Sequence, residues 1–489
     1  MTPATRSLVC VIALGLLLAA PPSGHAGTLD PRLGAAEQVY REKGAGEALP
    51  IFENLAGEFE RDSRARDLAA ALHYVGECHW RLGNYAQAHR TLDRALELER
   101  ASGDRVGEGR TLNVRGLLSW DEGSYERAIA DFRQAGELAR AVGDRKLQGA
   151  SLNNLSLVYD EQGEYDVSLE QYRRVLELYR GADFPRGVGD TLGNIGGVHL
   201  LLGHFREALG YYRQALAISE QLKSTASMSQ DHGNIGLCLL GLGEVDAAIG
   251  HLDQAIELAQ QAGMRQDQAY WFRVKGNGLV DKGRYDLALL NYRAALTIYE
   301  RVGAKAEFLE TLHDSGRLHL LLGDAASAEH EFRRALEMAR TIGLERGITL
   351  NLVALGDLEF RRERTEAAVA LYDEARQRAA AAGVQHAQAL ALLRLALVSR
   401  AQQRLEQASK QTDEALAIAR GVGGRDLEAE ALYSQAELAR AQRLAVPVES
   451  RPKIEVGSPC EPVHMMVTSW AGMVSACSML TSRVSGISR

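Results

Sequence analysis

The amino-acid sequence predicts an all-α protein, a solenoid of about ten helix pairs followed by a partial terminal repeat. Three observations carry that prediction. A glycine returns every forty residues, at Gly83, Gly123, Gly163, Gly203, Gly243, Gly283 and Gly323. A second series runs twenty residues out of phase, at Gly103, Gly143, Gly263, Gly303, Gly343, Gly383 and Gly423. Between Leu33 and Val446 only Pro50 and Pro185 occur, so little interrupts helix. A fixed period of this size is the mark of stacked repeat units. Such an array extends without one central core, so it overrides the roughly three domains that 489 residues would otherwise suggest.

The first stretch reads as a processing segment, residues 1–26. Arg6 supplies a positive start, Leu8 to Ala20 an apolar run, and Gly24-His25-Ala26 small residues where a signal peptidase would cut. The run is shorter than the about 20 residues a bilayer span needs. The expectation is export, to the periplasm or the medium, with no stable membrane span after cleavage; a retained N-terminal anchor is the other reading. Cys10 precedes most of the apolar run, which argues against a lipid-attachment site.

Residues 27–443 form the expected solenoid. In the unit from Ala69 to Glu108, a first helix over Ala69 to Arg81 carries Gly76, and Leu82-Gly83-Asn84 makes the turn. A second helix runs from Tyr85 to about Ser102. Ala88, Leu92, Ala95 and Leu96 share one face of it at helical spacing. Gly103 ends this helix in a left-handed cap and Asp104 caps the next. Where a glycine is missing from the second series, Asp183-Phe184-Pro185 and Lys223-Ser224-Thr225 break the helix instead. The first series becomes Arg362-Glu363-Arg364 and Gln402-Gln403-Arg404 near its end. An eleventh unit begins with a helix over Leu427 to Gln442 and has no second helix. Each helix is then about 16 to 18 residues long, roughly 25 Å.

Residues 444–489 change character. Pro447, Pro452, Pro459 and Pro462 cluster there, Met465, Met466, Met473 and Met479 follow, and no charge occurs from Val463 to Ser482. Two readings stand: an irregular tail, or a frameshifted or truncated end.

Composition excludes some functions. A formal charge of −8 gives no basic footprint for nucleic acid. Five cysteines make no disulfide framework; Cys78 and Cys238 fall at one repeat position and read as small packing residues. No zinc-protease helix, nucleophile elbow or phosphate loop occurs. The expectation is a protein that is not an enzyme and uses no cofactor or metal.

Across the units, the first-helix residues Gly76, Gly116, Ser156, Gly196, Gly236, Gly276, Gly316 and Gly356 align. So do the second-helix residues Leu92, Phe132, Tyr172, Tyr212, Leu252, Tyr292, Phe332 and Tyr372, each followed by a small residue such as Ala95, Ala135 or Ala215. This order resembles the tetratricopeptide repeat. The period of forty, against thirty-four in the common form, is similar to the long-helix subfamily of kinesin light chains, partner-of-inscuteable-type adaptors and bacterial peptide receptors. The resemblance implies a right-handed superhelix whose first helices line a concave groove, and a non-enzymatic scaffold whose partner is a protein or extended peptide. It also implies that asparagines nine residues before the turn glycine, Asn154, Asn194 and Asn234, hold the peptide. Asp314 is at the same place after a Val274 interruption. Asn153, Asn277, Arg273, His313 and Arg317 on the same or adjacent strips would add specificity, and Gly193, Gly197 and Gly233 would keep the floor open. The same asparagines would serve equally to tie neighbouring helices. Trp80 and Trp120 share a place three before the glycine and read as packing under a neighbouring helix. Arrays of this kind are often joined to a caspase-like protease domain, so a second reading is the sensor half of such a protein. Ser475-Ala476-Cys477, with His464 upstream, is similar to that domain's cysteine motif over three residues only.

Overall fold

The helices that the two glycine series predict are all present in a computed structural model of the chain. It describes residues 29–445 except 423. The signal and tail expectations therefore lie outside the described residues, as do Cys460, Cys477 and His464. Twenty-one helices run in order: α1 Pro31–Lys43, α2 Ala45–Arg61, α3 Ala65–Arg81, α4 Tyr85–Ser102, α5 Arg105–Asp121, α6 Tyr125–Val142, α7 Arg145–Gln162, α8 Tyr165–Gly181, α9 Pro185–Leu201, α10 Phe205–Gln221 and α11 Thr225–Gly241. They continue as α12 Val245–Gln261, α13 Arg265–Asp281, α14 Tyr285–Val302, α15 Lys305–Leu321, α16 Ala325–Ile342, α17 Glu345–Arg361, α18 Thr365–Ala381, α19 Gln385–Ala401, α20 Leu405–Gly421 and α21 Arg425–Ala445. No strand occurs among the described residues. This is an all-α solenoid: ten helix pairs and one further first helix. No described helix is long and apolar enough to cross a membrane.

The first helices start earlier than the sequence pattern suggests. The first helix of the second pair begins at Ala65 rather than Ala69, because Asp62-Ser63-Arg64 is the true turn and Ser63 takes a positive φ of 56°. The second helices match closely, α4 spanning Tyr85–Ser102. At its end Gly103 adopts φ 70°, and the Asp104 carboxylate accepts from the Gly107 N–H at 2.9 Å, capping α5.

The chain divides within α11 into two units, residues 1–238 and 239–489. Within each, successive helices pack on one another, as α5 does on α6 and α13 on α14, and several neighbouring first helices also meet directly. First helices thus form one layer and second helices the other.

Most pairs are closed by one recurring contact. A Cβ added at Gly116 would lie 2.6 Å from the Phe132 ring, at Gly316 2.6 Å from Phe332, and at Gly356 2.5 Å from Tyr372. The small residue lets the ring seat flat on the backbone of its partner helix. Phe132, Phe332 and Tyr372 are almost wholly buried as a result. Cys78 and Cys238 are buried and unbonded, and burial pushes both thiols up to about 12, so neither is reactive near neutral pH.

Where the turn glycines are lost, the backbone keeps their conformation. Asp183, Lys223, Glu363 and Gln403 hold φ of 46°, 53°, 61° and 61°. A residue with a Cβ pays about 1–2 kcal/mol for this, against about 0.5–1 kcal/mol for ordering a glycine. Gln403→Gly should therefore raise stability by about 0.5–1 kcal/mol, measured by urea unfolding. Gly316→Ala should cost about 1–3 kcal/mol through overpacking against Phe332. Gly210→Ala, in α10 with nothing within 4 Å of the new methyl, should instead gain up to about 1 kcal/mol of helix propensity.

Candidate ligand groove

The layer of first helices carries the polar residues singled out by the sequence, and each unit has its own set. In residues 1–238 they lie on α7, α9 and α11. The Asn154 Nδ2 donates to Asn113 Oδ1 on α5 at 3.2 Å, and Asn194 Nδ2 donates to Asn153 Oδ1 at 2.9 Å. The amides thus form a ladder between neighbouring first helices, which is the tying role that the sequence also allowed. The ladder leaves one acceptor over. Asn194 is 3% exposed, and its Oδ1 is buried with no hydrogen-bond partner among the described residues. Asn234 is buried on α11, one first helix further on. Beside Asn194, Gly193 is also buried, yet nothing lies within 4 Å of where its Cβ would be. A buried carbonyl left without a donor is a group that an incoming hydrogen-bond donor would satisfy.

In residues 239–489 the same strips are charged. Arg273 on α13 meets Glu310 at 2.9 Å and Asp314 at 3.5 Å, both on α15, and its guanidinium lies 5.7 Å from the centre of the Tyr270 ring. Burial works against the Arg273 charge, and the carboxylates of Asp314 and Glu310 overcome it, raising its pKa. His313 shares a hydrogen bond with Asn351 Oδ1 at 3.1 Å, and burial lowers its pKa, favouring neutral imidazole. Asn277 accepts from the Tyr292 hydroxyl at 2.6 Å. Arg317 is exposed. The structure therefore joins Arg273 to Asp314, while Asn277 and His313 are committed to other partners. Further along, Arg394 on α19 bridges Asp357 on α17, at 3.2 Å, and Glu430 on α21.

Sequence reasoning missed Glu310, Asn351 and Asp190. The available signal was helical spacing: Glu310 stands four before Asp314, and Asp190 four before Asn194. The tryptophans follow the packing reading. Trp80 is buried and its Nε1 donates to Asp121 at 3.3 Å; Trp120 Nε1 donates to Glu161 at 3.0 Å. Each reaches the next first helix. Among the described residues no group of three or more metal-ligating side chains occurs.

Several carboxyls in residues 1–238 are buried against hydroxyls rather than cations. Glu99 accepts from Thr111 at 2.8 Å, Asp160 from Tyr172 at 2.8 Å, and Asp231 from Ser219 at 2.5 Å. Burial pushes them up to about 8, about 7 and about 7 respectively. The folded state then holds these protons while the unfolded state releases them near pH 4, so their contribution is complete below that pH and is lost as pH rises towards 8. The urea midpoint should fall between pH 5 and pH 8, and Glu99→Gln with Asp231→Asn should flatten that slope.

A family model described as tetratricopeptide repeat matches residues 67–140 and 108–181, and a second of the same description matches 188–222. No curated protein sequence matches the chain. Among solved structures, the chain is similar to a Signal Transduction ATPase with Numerous Domains protein with a tetratricopeptide repeat sensor from Pyrococcus horikoshii, with TM-score 0.51 and 11% identity over 70% of this chain and 55% of that one. It is also similar to aspartyl phosphate phosphatase F from Bacillus subtilis, with TM-score 0.48 and 16% identity over 73% and 96% of the two chains. A Rap protein complexed with Competence and Sporulation Factor gives TM-score 0.47 and 17% identity over 71% and 96%. At these identities the likeness is one of fold.

Proposed function

Because this chain is a tetratricopeptide-repeat protein, we propose that it is a non-enzymatic scaffold that binds an extended peptide segment of a partner protein along the first helices of α7, α9 and α11. The observation that carries this reading is the Asn194 side chain. It is buried, it donates to Asn153, and its Oδ1 is left without a donor, while the preceding residue, Gly193, has open space where a Cβ would be. A peptide backbone offers an N–H at every residue except proline and needs close approach to use it, which a glycine floor permits. Side-chain amides bracket such a backbone through donor and acceptor together, without reading its sequence. Asn153, Asn154 and Asn234 extend the row to the neighbouring helices. The pattern of Arg6, the apolar run from Leu8 and the small residues at Gly24 to Ala26 supports binding after export.

A peptide-display selection on the full chain tests the reading. Asn154→Ala with Asn194→Ala should lose the retained peptides, each truncation leaving a binding partner unpaired at a cost of about 1–3 kcal/mol. Leu290→Glu, on the exposed side of second helix α14, should leave retention unchanged. Equal retention by the asparagine variant, with its thermal unfolding unaltered, would reject the groove.

A further inference from the structure

Resting on that groove, the structure points to the chemistry of what it takes. Asp190 lies on α9 one turn before Asn194, so the two side chains share a face, with about 5–6 Å between their Cβ atoms. No described group donates a hydrogen bond to the Asp190 carboxylate. Its one cationic neighbour is Arg186, at 4.0 Å on the same helix, with a side chain that is 59% exposed against 31% for Asp190. The Tyr179 hydroxyl, on second helix α8, senses the Asp190 charge but is buried without a partner and does not bond it. On the neighbouring first helix, Asp231 is turned to Ser219. The floor at α9 therefore presents two acceptors in a row, a carboxylate and the Asn194 carbonyl, neither of which receives a hydrogen bond from a described group. Gly193, three residues after Asp190, has open space where a Cβ would be.

A neutral carbonyl or an anion would add acceptors to acceptors. Only a group that donates several hydrogens and carries positive charge satisfies the pair, and ammonium and guanidinium are the side-chain groups that do so. We propose that Asp190 and Asn194 form a cation subsite of the groove, which receives a lysine or arginine side chain of the bound peptide. Asp190 keeps 31% of its side chain exposed, and burial of the rest pushes its carboxyl up to about 6, a cost that an incoming cation relieves. The subsite would then select by charge, where the asparagine ladder alone selects only for extended backbone.

The test uses the full chain, immobilised, with pools of N-acetylated hexapeptides. The pools are random in uncharged residues apart from one position fixed as lysine, arginine or norleucine, and retention is read by mass spectrometry at pH 7.5 and low salt. The lysine and arginine pools should be retained at least about tenfold better than the norleucine pool. Asp190→Asn, close in shape to the original, should erase that preference and leave the weaker norleucine retention in place. Better retention of a norleucine pool with a free amino terminus than of its acetylated form would place a peptide amine in the subsite and support the same cation chemistry. Equal retention of the acetylated norleucine and lysine pools, or a preference that survives Asp190→Asn, would overturn the subsite and leave the groove standing. Retention of no pool would overturn both.

Discussion

The dimensions of most helix pairs follow from one contact, between a small residue on the first helix and a ring or leucine sixteen residues later on the second. With no Cβ at Gly76, Gly116, Gly276, Gly316 or Gly356, the side chain of the partner helix lies against bare backbone, where an added methyl carbon would fall within about 2.6 Å of it. The contact sets the spacing inside the pair, and the short turn sets its direction. Because both recur every forty residues, each pair offers its neighbour the same surface, and stacking is the only way left to bury it. A core of this kind has no centre. It is a row of similar seams, so a change in one seam is felt by the adjoining pairs first.

The turns show how strictly the geometry is held. Ser63, Asp183, Lys223, Glu363 and Gln403 stand where the period calls for glycine, and all keep a left-handed backbone. The fold accepts local strain there rather than alter the angle between consecutive helices. Five strained positions spread over both units are consistent with packing, rather than turn propensity, deciding where helices end.

That is also why the sequence disclosed the fold far better than the site. Glycine period, helix lengths and the ring that seats on each small residue are local or strictly periodic, and a single sequence displays them. The partners of the groove residues are neither. Neighbouring first helices repeat at forty, but their contacts fall at offsets of 37, 38 and 41: Arg273 to Glu310, His313 to Asn351, Asn153 to Asn194, Arg273 to Asp314. A side chain nests between two residues a turn apart on the next helix, as ridges settle into grooves, so aligning equivalent positions places each residue beside the wrong neighbour. The sequence marked Asn194 and Asn154 as equivalents; the ladder pairs Asn194 with Asn153 instead. It also set His313 beside Arg273 as a specificity residue, whereas the helix offset brings Glu310 and Asp314 to the arginine.

The offset has a consequence for what the two sets of first helices are able to do. In residues 239–489 the ladder includes charges that meet their opposites: Arg273 with Glu310 and Asp314, Arg394 with Asp357 and Glu430. Charges paired and half-buried in this way are costly to separate, so a ligand would have to replace a partner before it gained one. In residues 1–238 the rungs from Asn113 to Asn154 and from Asn153 to Asn194 are neutral amides, whose mutual hydrogen bonds are worth little net against those a ligand supplies. One of them, Asn194, has an acceptor to spare. The unsatisfied Asn194 carbonyl thus leaves one rung of this ladder incomplete. On the proposed reading, that incompleteness is where a ligand gains a hydrogen bond without first displacing one.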